Sequence, residues 1–152
     1  MPTSIRNATL TVKIKEEITL NGSRQDSENI FRISDVNEIS KRIVTIPASE
    51  VTIISFHASA IAAGTFLEGD IRYIRLTNKD DTNYITLNIE GDASTDFSVR
   101  LDPKASFLIV STNTSGVVDY ADISGATLED LTGIKATANS AASDLEIFLA
   151  SA

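Results

Sequence analysis

The chain has 152 residues, 42% hydrophobic and 22% charged, which is enough for one domain with its own core and too few for two. Thirteen basic against 21 acidic side chains leave a net charge of -8, which repels phosphate backbones and argues against nucleic-acid binding. Cysteine is absent, which excludes disulfides and thiolate metal sites, and no stretch reaches the roughly 18 apolar residues of a membrane-spanning helix.

Strand patterns dominate from the start. MPTSIRN, residues 1–7, has poor strand character and reads as an N-terminal arm. In ATLTVKIKEEITL, Leu10, Val12, Ile14, Ile18 and Leu20 share one parity, the period-2 signature of a half-buried strand, with a break near Glu16. Asn21-Gly22 supplies a turn, because both residues tolerate positive φ. NIFRI, RIVTI and EVTIISF follow, rich in β-branched and aromatic residues, and Pro47 between the last two suits a strand end. The segment HASAIAAGTFLEGD, residues 57–70, has no clean period. It reads either as a buried crossover or short helix covering the end of the sandwich, or as an apolar loop that a partner chain covers.

YIRLTNKDDTNYITLNI, residues 73–89, reads as a hairpin, with Ile74 and Leu76 before a polar loop and Ile85, Leu87 and Ile89 after it. DFSVRLD then points Phe97, Val99 and Leu101 inward, and Asp102-Pro103 marks a turn. SFLIV, residues 106–110, is a continuous apolar run expected as a central strand buried on both faces. ATLEDLTG is a short helix candidate, with Thr127 and Asp130 at capping-box spacing. GIKATAN and DLEIFLA close the series, Leu145, Ile147 and Leu149 sharing a face. About ten strands at spacings of roughly 8–15 residues predict an all-β fold, an antiparallel β-sandwich or jelly roll with little helix, as a single domain over residues 1–152.

Residues that carry chemistry are sparse. His57 is the one histidine, and its parity matches Val51, Ile53 and Ser55. A catalytic histidine needs a nucleophile and an orienting group in a recognisable pattern, and the sequence supplies neither. Asp80-Asp81 and the set Glu90, Asp92 and Asp96 read as turn residues; the second set would suit calcium, but it lacks the spacing of a calcium loop. A carbohydrate-binding module is the alternative from another class, and the absence of tryptophan counts against it. The expectation is a non-enzymatic protein with no catalytic residues, no cofactor and no metal.

The series YIRLTNKDDTNYITLNI, FSVRLDPKASFLIV and IKATANSAASDLEIFLA resembles small virion structural proteins of tailed bacteriophages. The matching positions are Tyr73, Arg75 and Asn78, Thr82 to Leu87, Phe97 to Pro103, Phe107 to Ile109, and Ile134 to Glu146, with the opening half fitting the same group. Lys104-Ala105 departs from it, since a glycine-bearing turn is common there in such proteins. The resemblance implies a capsid decoration, or cement, protein made in the host cytoplasm without a signal peptide and resident in the virion. It implies a homo-oligomer, a trimer favoured, whose partners are the major capsid protein first and tail proteins second, with no membrane partner. A tail, baseplate or fibre role is the alternative within the same virion. The interface is expected at Ala60, Ile61, Phe66 and Leu67 of the apolar segment and at Ile5 and Arg6 of the arm.

Overall fold

A computed structural model describes residues 6–59, 65–91, 96–111, 120–121, 128–129 and 131–152. Its strands are β1 (Ala8–Glu16), β2 (Thr19–Leu20), β3 (Ser23–Arg24), β4 (Ser27–Val36), β5 (Glu38–Ile46), β6 (Val51–His57), β7 (Phe66–Leu67) and β8 (Ile71–Asn78). After these come β9 (Ile85–Gly91), β10 (Asp96–Leu101), β11 (Ser106–Val110), β12 (Tyr120–Ala121), β13 (Leu128–Glu129), β14 (Leu131–Ala138) and β15 (Ser143–Ser151). Among the described residues the only helical piece is a 3-10 turn at Glu68–Asp70. The fold is all-β, consistent with the expected sandwich.

Two sheets face each other. One has five strands in the order β10-β9-β14-β6-β7, the other four in the order β11-β8-β15-β5. Every pairing is antiparallel except β6 with β7. Strands consecutive in sequence, β5 and β6, β8 and β9, β10 and β11, β14 and β15, fall in opposite sheets at matching positions. Each connection is therefore an arch from one layer to the other. The expected hairpin at residues 73–89 is corrected accordingly: its two strands never pair.

The four arches stack at one end of the sandwich and bond to each other. Asn78 N–H donates to the Ala105 carbonyl (3.0 Å), Lys79 N–H to Asp144 (2.8 Å), Ala138 N–H to Pro47 (2.9 Å) and Asn139 N–H to Tyr84 (3.2 Å). Asn78 is fully buried; its amide donates to the carbonyls of Asn83 (2.8 Å) and Leu101 (3.1 Å), and its oxygen accepts from Asp80 N–H (3.0 Å). One side chain thus ties two arches together where no ladder can satisfy their backbone groups. In the turn after β10, Ala105 N–H donates to Asp102 (3.0 Å) and Lys104 adopts a φ of 63°, the conformation a glycine would hold without strain.

The core lies between the layers. Ile74, Leu76, Ile85, Leu87, Leu101, Leu145 and Ile147 are buried as expected. Val99, Phe107 and Ile109 are only half-buried, because β10 and β11 are edge strands. Phe97 is a correction: it pairs with Ile89 in the inward parity, yet at the start of an edge strand it stays 42% exposed. SFLIV is likewise at an edge and not central, though it does meet apolar partners on both faces. The helix expected at ATLEDLTG is replaced by strand at Leu128–Glu129 and from Leu131 onward; Thr127 and Asp130 lie outside the described residues.

The outer faces differ. Thr86, Asn88, Ser98, Lys135 and Thr137 make that of the five-stranded sheet polar, with Lys135 paired to Glu90 at 2.6 Å. Tyr73, Leu108, Val110, Phe148 and Ala150 make that of the four-stranded sheet apolar. The base of a hairpin formed by β1 and β4 covers this second face through Leu10, Val12, Ile33 and Val36. Ile33 and Val36 are three apart and would face opposite ways in a regular strand. A bulge lets both point inward: β4 has one residue more than β1 between the pairs Ala8–Val36 and Leu10–Ile33, and Asp35 takes a φ of 61°.

Candidate interaction surface

The hairpin continues beyond its base. Ile14 is half-buried, and every residue from 15 to 30 is exposed. Its tip is nonetheless well built. Asn21 and Gly22 hold φ of 50° and 80°, the pair of positive values that a two-residue turn between twisted strands requires. Ile18 N–H donates to Asp26 Oδ1 (3.1 Å), Gln25 N–H donates to the Ile18 carbonyl (2.9 Å), and Arg24 Nε donates to Asp26 Oδ2 (2.8 Å). On this frame Ile18 and Leu20 are 53% and 60% exposed, and Ile30 is 39% exposed. The period-2 reading had these first two facing inward, which the structure corrects. Ile39 and Ile43 on the edge strand β5 are exposed as well.

Where the hairpin base meets the sheet, Leu10, Val12, Tyr73, Arg75 and Phe148 line an open groove of about 250 Å³. Tyr73 and Phe148 meet edge to face, centroids 5.8 Å apart, and the Arg75 guanidinium lies 5.9 Å from the Phe148 centroid. Arg75 also donates to Glu146 Oε1 at 2.6 Å, and that bond holds the Glu146 carboxyl below its ordinary pKa. Burial pushes the Tyr73 hydroxyl up. This is packing and ion pairing around a hairpin base, with no nucleophile and base brought together.

The residues expected at an interface are dispersed. Phe66 is buried in the core beside β6, so it presents little surface to a partner, and its place in the expected interface is corrected. Its neighbour Leu67 is 36% exposed, and Arg6 is exposed. Ile5, Ala60 and Ile61 lie outside the described residues. His57 is half-buried opposite Leu67.

The acidic loop at Asp80-Asp81 is engaged internally. Asp80 Oδ1 accepts the N–H groups of Thr82 (2.8 Å) and Asn83 (2.6 Å), which lower its carboxyl pKa to about 2. Asp81 pairs with Lys104 at 2.6 Å, and Asp96 is exposed, while Asp92 lies outside the described residues. No group of three or more histidine, cysteine, aspartate or glutamate side chains among the described residues could hold a metal ion.

No protein-family model matches the sequence, and no curated protein matches it either.

Proposed function

We propose that the chain is a non-enzymatic structural protein of a tailed-phage virion, an oligomeric decoration protein seated on the outside of the head shell. The observation that carries this reading is the projecting hairpin. The sandwich completes its core without it, yet the hairpin presents Ile18 and Leu20 to solvent on a hydrogen-bonded frame. Singly exposed apolar residues are ordinary on protein surfaces; what supports contact with a partner is that these two sit on a hydrogen-bonded frame outside the sandwich. The phage-like series of residues across the sandwich supports the assignment to a virion, and the net charge of -8 suits an outer surface better than one facing DNA.

The mechanism is mechanical. A rigid body that contacts two or more shell subunits binds the assembled shell and not its separated parts, so it stabilises the shell by mass action. A trimer would match local three-fold positions. The test is an electron cryo-microscopy map of particles carrying the protein. Copies on the order of hundreds on the head shell are expected for repeated symmetric sites. A few copies at the tail would instead establish the tail role, and failure to bind particles would remove the virion assignment.

A further inference from the structure

The charge of the hairpin is divided along its length. Residues 16–27, the tip, carry Glu16, Glu17 and Asp26 against Arg24, a net of -2. The shaft, residues 6–15 and 28–36, carries Arg6, Lys13, Lys15 and Arg32 against Glu28 and Asp35, a net of +2. The hairpin as a whole is therefore neutral, and the entire net charge of -8 sits on the rest of the chain. Two copies of the body repel each other. Two hairpins placed tip to shaft attract.

From this we infer that the hairpin is a self-association element, the tip of one copy lying on the shaft of another. A surface that matches itself when reversed identifies a second copy of the same chain as its occupant. The apolar residues agree with that pairing. Ile18 and Leu20 mark the acidic tip, and a tip-on-shaft contact takes their exposed apolar surface out of water. Among the described residues β1 and β4 pair with each other alone, which leaves a strand edge on each side for backbone hydrogen bonds to the neighbour.

The inference deepens the oligomeric part of the proposed function and does not depend on where in a virion the protein sits. Sedimentation velocity of the whole chain at tens of micromolar in low salt should show an oligomer. Lys13→Glu with Arg32→Glu makes both ends of the hairpin acidic, and Glu16→Lys with Glu17→Lys makes tip and shaft basic. All four side chains are exposed, so unchanged circular dichroism should confirm that both variants fold.

Each variant alone should sediment as a monomer, and an equimolar mixture of the two should regain the oligomeric mass. A monomeric wild type, variants that keep the wild-type mass, or a mixture that stays monomeric would each overturn the contact. Particle binding separates the two readings. A monomer that still decorates heads leaves the virion assignment standing without this contact. An oligomer that binds no particle leaves the contact standing without the assignment.

Discussion

Sandwich and hairpin are both antiparallel β, yet they place their apolar residues in opposite ways. In the sandwich, alternation delivers Ile85, Leu87 and Ile89 to one interior face, where they are fully buried. In the hairpin the same alternation delivers Leu10 and Val12 to a neighbouring layer and then runs past its end, leaving Ile18 and Leu20 in water. Alternation specifies a face; whether that face is buried depends on what lies opposite. On the proposed reading the body supplies stability and the hairpin supplies contact, and substitutions in the two should separate these effects.

The largest loss is expected in the body. Leu87→Ala removes a fully buried side chain between the sheets and should cost about 2–5 kcal/mol, measured by urea unfolding. Asn78→Ala should follow at about 2–3 kcal/mol, because it strands two carbonyls and one N–H in the arches. A loss below about 0.5 kcal/mol at Asn78 would mean that water replaces its bonds and that the arches do not need the amide.

Phe148→Ala probes the junction of the two regions. The ring is half-buried between the outer sheet face and the hairpin base, so the expected cost is about 1–2 kcal/mol. Hydrogen exchange should accelerate in β1 and β4 while β8, β9 and β14 stay protected. Uniform acceleration would show that body and hairpin unfold as one unit.

Much of the fold was legible in the sequence. Nearly every long strand falls where alternation placed it, and the all-β architecture follows from that pattern. Connectivity was less legible: two alternating runs around a polar loop describe a hairpin and an arch equally well. One available signal was Asn78, a polar residue in the inward parity of Leu76, which is where a chain leaving its sheet needs a hydrogen-bonding group. Phe97 shows a second limit, since parity gives the direction of a side chain and not the cover over it. The candidate interaction surface was hardest to read. The apolar segment around Phe66 drew attention by composition, and Phe66 belongs to the core; the exposed Ile18 and Leu20 looked like ordinary strand residues. Their signal lay in the charge division along residues 6–36, which hydrophobic periodicity ignores.

Acid should weaken the arch end of the body before the hairpin. Asp80 has its pKa lowered to about 2 in the folded state, from an ordinary value of 3.8, by the N–H groups of Thr82 and Asn83. The folded protein thus binds that proton less readily than the unfolded chain. Its contribution is fully present above about pH 4 and is lost as the pH falls through 2. Thermal melts between pH 5 and 2 should show a drop that is smaller in Asp80→Asn, whose side chain does not titrate. Equal slopes for the two proteins would mean that other carboxyls set the acid limit.

The smallest effect on stability is expected at the tip. Leu20 touches neither hydrophobic cluster, is 60% exposed, and pairs only with Ser23 beside the turn. Leu20→Ser removes apolar surface that folding leaves in water, so the unfolding free energy should change by less than about 0.5 kcal/mol. The turn should persist, because Asn21, Gly22 and the Asp26 bonds to Ile18 and Arg24 are untouched. Self-association should weaken all the same, since the substituted side chain belongs to the tip of the proposed contact. Urea unfolding and sedimentation velocity on the same sample would read both quantities. A stability loss above about 1 kcal/mol would place Leu20 against the body in solution, and the proposed division between a stable body and a contacting hairpin would fail at its clearest residue.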